Sequence, residues 1–180
     1  MIYYITGGQW SGKSRYAQEL ALRLSNQPVY LATSCAWDDD HWQRIERHRA
    51  DRNARWTNWE EEKYFSRRNF AGRVVVVDCF TLWLTNFFTD HAYQVDLSLR
   101  EAKEEFDRLG QQVRRAEPAA TVILVSNEIG LGLHPINEAG RKFVDLQGWM
   151  NQHAAQNADQ AILMVSGLPL VIAPKPPKGA

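Results

Sequence analysis

Short apolar runs alternate along this chain with segments of helical periodicity. Residues 2–6, Ile-Tyr-Tyr-Ile-Thr, form a β-rich apolar run that stops at two glycines. Beyond it Tyr16, Leu20 and Leu24, four apart, mark one face of a helix over residues 13–25. Residues 28–32 predict a second strand. Asp38, Asp39 and Asp40 put negative charge where a helix dipole favours it, and the helix they introduce carries His41, Ile45 and His48 on one face, ending near Asp51. The unbroken β-branched run at 73–78 reads as a strand buried on both faces, as in a parallel sheet. A long helix follows at 97–116, a buried strand at 121–126, and a loop holding Gly130, Gly132 and Pro135. A helix at 138–156 and closing strands at 160–165 and 168–172 complete the pattern. Strands alternating with helices predict an α/β fold, a three-layer sandwich with a mostly parallel central sheet flanked by helices and right-handed crossovers.

The 180 residues fit a single domain, taken as 1–173, with no internal repeat or dividing linker; the Pro- and Lys-containing tail at 174–180 is expected to be extended and mobile. Hydrophobic residues at 44% and charged residues at 23% give a globular balance rather than a disordered one. The 21 basic and 21 acidic side chains cancel, so net charge supports no general binding to nucleic acid or anionic membrane. Cys35 and Cys79 form neither a CxxC pair nor a disulfide framework, and read as small core or near-site residues in a reducing compartment. No apolar run nears the roughly 18–20 residues that span a bilayer, and the N-terminus lacks signal-peptide character, so the expected location is cytoplasmic.

The chemistry begins at Gly7-Gly8-Gln9-Trp10-Ser11-Gly12-Lys13-Ser14, a full G-x-x-x-x-G-K-[ST] phosphate loop set between a strand and a helix. Glycines let successive N–H groups turn inward around phosphate oxygens, and the following helix aims its N-terminus at the same anions. Lys13 is placed to reach the β- and γ-phosphates, and Ser14 to offer its hydroxyl to Mg²⁺. Asp78, ending a buried strand, is the natural second Mg²⁺ residue; the plainer alternative is an Asp capping the helix that follows. Around His48 stand Arg44, Arg47 and Arg49. Such a cluster reads either as a solvated helix face or as a neutral, nucleophilic imidazole beside groups that bind phosphate. Asn127 and Glu128, following a strand, read as a turn pair or as nucleotide- or substrate-positioning residues.

With these residues in view, the chain resembles the bifunctional adenosylcobinamide kinase / adenosylcobinamide-phosphate guanylyltransferase family of the cobalamin pathway. The resemblance runs through the phosphate loop with Ser14-Arg15, through Tyr30-Leu31-Ala32-Thr33-Ser34, Arg44-Ile45, His48 and Trp56, and through residues 78–86. It continues in Ser126-Asn127-Glu128-Ile129-Gly130-Leu131-Gly132, in Pro135, Asn137, Arg141, Phe143, Asp145, Gly148 and Asn151, and in Ser166-Gly167-Leu168-Pro169-Leu170. It implies phosphorylation of adenosylcobinamide, then transfer of GMP from GTP to adenosylcobinamide phosphate with release of pyrophosphate. It further implies a GMP–histidine intermediate on His48, ATP and GTP as substrates, and a homotrimer. Guanine and ribose contacts are implied near Thr33, Ser34 and Cys35, at Arg49, Ala50, Asp51 and Arg52, and at Glu60. Arg47 stands where some relatives carry another histidine, and His134 where an aliphatic residue is usual. His41, His91 and His153 match no motif and read as surface or packing residues. A P-loop kinase of another small metabolite and a non-enzymatic nucleotide-regulated module are the rival readings; no Asn-Lys-x-Asp guanine-reading motif favours an ordinary GTPase switch.

Overall fold

A computed structural model of the chain describes residues 1–33 and 55–172. Seven strands form one sheet: β1 (Ile2–Gly7), β2 (Val29–Ala32), β3 (Thr57–Glu60), β4 (Val74–Asp78), β5 (Thr121–Val125), β6 (Gln160–Val165) and β7 (Leu168–Ile172). Their spatial order is β3-β2-β4-β5-β1-β6-β7, and every pairing is parallel except that of β6 with β7. Around the sheet lie α1 (Lys13–Leu24), α2 (Phe80–Asp90), α3 (Val95–Arg115) and α4 (Glu138–Asn157).

The valine-rich run of β4 and the isoleucine- and valine-rich β5 are buried on both faces, which is why they read as continuous apolar stretches. Alternate residues feed two separate cores. Ile2, Tyr4, Val75, Val77, Val122 and Leu124 join Phe80, Trp83, Phe87, Phe106, Leu109, Leu146 and Met150 on the face covered by α2, α3 and α4. Ile5, Val76, Ile123 and Val125 join Ala17 and Ala21 on the α1 face. Helices on both sides of a mostly parallel sheet give the expected three-layer sandwich.

Three details depart from the sequence pattern. Helix α1 packs on the sheet through the fully buried Ala17 and Ala21 with the half-buried Tyr16 and Leu20 beside them, whereas Leu24, the third of the four-spaced set, is 45% exposed. Strand β3, Thr-Asn-Trp-Glu, is polar and mostly exposed and owes its strand form to pairing with β2 at the sheet's edge. Helix α2 is rich in aromatic and β-branched residues with poor helical propensity, and it forms because Phe80, Trp83, Leu84, Phe87 and Phe88 are buried together. The expected helix over 38–51 and the tail at 174–180 lie outside the described residues. Among the described residues no helix is long and apolar enough to cross a membrane.

Candidate active site

Because β1 ends at Gly7 and α1 starts at Lys13, residues 8–12 turn over the C-terminal edge of the sheet. Gly12 has φ +92°, in the left-handed region that favours glycine, and a Cβ there would stand 3.2 Å from the Cα of Gly167. At Gly7 a Cβ would lie 2.6 Å from the Met164 carbonyl oxygen. The β6–β7 turn thus backs the loop, and Gly167 N–H donates to the Ser11 carbonyl at 3.0 Å. Trp10 holds φ +59° with its side chain 83% exposed. Lys13 is buried, and its Nζ donates to the Gly8 carbonyl at 2.8 Å, closing the loop on itself.

Asp78 ends β4 at the same edge. One register row crosses the sheet from Glu60 through Ala32, Asp78 and Val125 to Ile5. The residue that caps α2 is Cys79, whose Sγ accepts from Leu82 N–H at 3.5 Å, so the capping alternative falls to its neighbour rather than to Asp78. Although Cys79 as a whole is partly exposed, its thiol is enclosed, and burial followed by the Asp78 charge pushes its pKa up to about 12. Thr33, completely buried, donates its hydroxyl to the Cys79 carbonyl at 2.7 Å. Asn86 Nδ2 donates to the carbonyls of Thr33 at 2.9 Å and Glu62 at 2.8 Å.

Since β5 lies between β1 and β4, the residues that follow it sit between the phosphate loop and Asp78. Glu128 N–H donates to the Gly7 carbonyl at 3.1 Å. Its Oε1 accepts from Thr6 Oγ1 at 2.6 Å and from Asn151 Nδ2 at 3.1 Å. Asn127 donates from its backbone N–H (3.2 Å) and its Nδ2 (3.0 Å) to Thr81 Oγ1 on α2. Behind them Asn151 Oδ1 accepts from Ser126 Oγ at 2.8 Å and Gln147 Nε2 at 2.7 Å. Tyr4 is buried close by, its hydroxyl next to Thr6, Ser126 and Glu128 without a well-formed hydrogen bond to any described residue, and burial above all raises its pKa. The spacing of motifs did not mark Thr6, Thr81, Gln147 or Asn151 as a network. The signal was present on α4, where Gln147 and Asn151 interrupt the buried stripe of Leu146, Met150 and Ala154.

Of the other expected site residues, Glu60 is exposed at the end of β3, in register with Ala32. Ser34, Cys35, His48, Arg49, Ala50, Asp51 and Arg52 lie outside the described residues. His91 Nε2 contacts Glu101 Oε2 at 2.5 Å and His153 Nε2 contacts Asp107 Oδ1 at 2.8 Å, both away from the loop.

A family profile, cobinamide kinase / cobinamide phosphate guanyltransferase, matches residues 3–172 of this sequence. The chain belongs to that family. The bifunctional adenosylcobalamin biosynthesis protein CobP of Pseudomonas aeruginosa is 40% identical over 177 residues, covering 96% of this chain and 97% of the relative. The corresponding CobU protein of Escherichia coli K12 is 33% identical, covering 93% and 97%. Among solved structures, an ATPase domain has a TM-score of 0.49 at 14% identity, covering 90% of this chain and 68% of that one. As a cobinamide kinase and cobinamide phosphate guanyltransferase family member, the chain is a kinase and guanylyltransferase.

In this family member the Ser14 hydroxyl at the start of α1 and the Asp78 carboxylate at the end of β4 are two hard oxygen ligands at the same sheet edge. Both are half-buried, and neither side chain is hydrogen-bonded among the described residues. No group of three or more His, Cys, Asp or Glu suited to a metal occurs among the described residues. Two protein oxygens fit an ion that completes its shell with water and phosphate, as Mg²⁺ does.

Proposed function

We propose that the chain phosphorylates adenosylcobinamide from ATP or GTP, and then guanylylates the product from GTP through a GMP–histidine intermediate on His48. The observation that carries this reading is the placement of Lys13, Ser14, Asp78 and Thr33 along one sheet edge in a chain of this family. In the first reaction the aminopropanol hydroxyl oxygen bonds to the γ-phosphorus as the bond to the β–γ bridging oxygen breaks, releasing nucleoside diphosphate. In the second, a His48 ring nitrogen bonds to the α-phosphorus and pyrophosphate leaves. An oxygen of adenosylcobinamide phosphate then displaces the imidazole, giving adenosylcobinamide-GDP. A neutral imidazole both attacks and leaves well, and the arginines at 44, 47 and 49 supply phosphate-binding charge in the sequence around it.

In this reading Lys13 and the loop N–H groups of Gly7 to Ser14 hold the phosphates. Ser14 and Asp78 hold Mg²⁺, which offsets the charge of the β- and γ-phosphates. Thr33, Ser34, Cys35, Arg49 to Arg52 and Glu60 contact guanine and ribose. The reactions take place in the cytoplasm, where both nucleotides are available. The assembly is a homotrimer. Supporting it, every residue of edge strand β7 is exposed, with Leu168 at 71%, Leu170 at 59% and Val171 at 50%, an apolar edge that a neighbour would cover. A monomer in light scattering at micromolar concentration would contradict the trimer.

The covalent step has a direct test. Incubation with GTP and Mg²⁺ is expected to add one GMP to the intact mass, labile to acid and missing in His48→Ala. Active protein that shows no adduct sinks the guanylylated-histidine reading. Kinase turnover is measured separately, with adenosylcobinamide and each nucleotide.

A further inference from the structure

We propose that Glu128 is the base of the kinase step, receiving the hydroxyl proton of the acceptor at Oε2 while Thr6 and Asn151 position it through Oε1. The proposal rests on the phosphoryl-transfer reading above. Strand alternation decides on which side of the sheet this carboxylate stands. Ile5 packs with Ala17 and Ala21 on the α1 face, and Tyr4 packs on the face covered by α3 and α4. Thr6 shares the side of Tyr4. The bonds from Thr6 Oγ1 (2.6 Å) and from Asn151 Nδ2 of α4 (3.1 Å) therefore hold Glu128 on the α4 side of the edge, across the sheet from α1.

That placement matches the geometry of the reaction. In an in-line displacement the attacking and leaving oxygens lie on opposite sides of phosphorus. A triphosphate whose leaving side rests in the loop and on the α1 N-terminus exposes its far side to the acceptor, and Glu128 stands on that far side. Its distance from the loop is set by the Glu128 N–H bond to the Gly7 carbonyl, 3.1 Å. Both donors to the side chain go to Oε1, and among the described residues Oε2 receives no hydrogen bond. The preceding residue, Asn127, is pinned to Thr81 in the first turn of α2, three positions after Asp78, so the pair spans the gap between the loop and the end of β4. As the oxygen–phosphorus bond forms and the β–γ bridging bond breaks, Oε2 takes the hydroxyl proton. Glu128 then returns it to water.

The experiment compares two readouts on the same protein: adenosylcobinamide phosphorylation, and GMP labelling of the chain by GTP. Glu128→Gln is expected to lower kinase kcat about 10²- to 10⁴-fold, the range for loss of a general base, with KM changed far less. The falling acidic limb of the wild-type kcat–pH profile should disappear in this variant. GMP labelling should fall much less than phosphorylation. Asn151→Ala should lower kinase kcat about tenfold at similar KM, as expected for a positioning residue. If Glu128→Gln proves poorly folded by thermal unfolding, Glu128→Asp serves in its place, keeping the charge but retracting the base by one methylene. Kinase kcat within about threefold of wild type with an unchanged pH profile overturns the proposal. Equal loss of both readouts also overturns it, since Glu128 would then only support the loop. Absence of phosphorylation by the wild-type chain would instead count against the function proposed above.

Discussion

Thr33 donates its hydroxyl to the Cys79 carbonyl at 2.7 Å, tying the residue where the chain leaves β2 to the turn that carries Asp78. The two strands are neighbours with Ala32 in register with Asp78, so this bond continues the ladder one residue past its end. Thr33→Val is expected to leave that buried carbonyl without its donor and to cost about 1–3 kcal/mol of stability, read from the urea midpoint. Affinity for GTP should fall with it if the two segments joined by this bond hold nucleotide as proposed.

The glycines of the phosphate loop are expected to separate stability from binding. A Cβ at Gly7 would meet the Met164 carbonyl at 2.6 Å, whereas nothing lies within 4 Å of one at Gly8. Gly7→Ala should therefore destabilise the fold by about 1–3 kcal/mol through overpacking. Gly8→Ala should keep stability within about 0.5 kcal/mol yet weaken GTP binding by about tenfold or more, because its methyl group obstructs phosphate approach. Thermal unfolding and calorimetric titration of both variants make the comparison.

Lys13 is held by the loop it serves, through its bond to the Gly8 carbonyl. Loss of a charged hydrogen bond to phosphate predicts that Lys13→Met weakens GTP binding about 10- to 100-fold and reduces both activities. Chelation of Mg²⁺ should likewise stop both activities, and Asp78→Asn should raise the Mg²⁺ concentration needed to restore them. An unchanged Mg²⁺ requirement in Asp78→Asn would remove Asp78 from the metal site.

The enclosed Cys79 thiol predicts a pH dependence of stability. Its pKa is raised from an ordinary 9.0 to about 12. Between these values the unfolded chain has lost the thiol proton while the folded chain keeps it, so stability falls as pH rises through that window. Below pH 9 the thiol contributes no slope. Tyr4 is shifted in the same direction by burial, so the measurement is the difference between wild type and Cys79→Ser. The serine preserves an acceptor for Leu82 N–H and removes the thiol, and its melting temperature should decline less steeply above pH 9. Alkylation of the folded wild type at neutral pH should be slow.

Much of the scaffold was legible in one dimension because its cause is local or periodic. The apolar runs of β1, β4 and β5 announce burial on both faces, and the loop from Gly7 to Ser14 announces phosphate, since only glycines, lysine and a hydroxyl at that spacing suit such a cradle. The family was also legible, because its motifs are spread along nearly the whole chain. Other features had no local signal. The mostly polar β3 becomes a strand by pairing with β2, and α2 becomes a helix through the burial of its aromatic side chains. The placement of β5 between the phosphate-loop strand and the Asp78 strand is a property of the assembled sheet. It brings together Thr6, Thr81, Glu128 and Asn151, residues far apart in sequence whose hydrogen bonds exist only once the helices have packed. Sequence by itself determined the phosphate-loop motif from Gly7 to Ser14 and its setting between a strand and a helix. Tertiary structure decided that Glu128 stands beside that loop, bonded to Gly7, Thr6 and Asn151, because strand order and side-chain alternation are set by packing across the whole core.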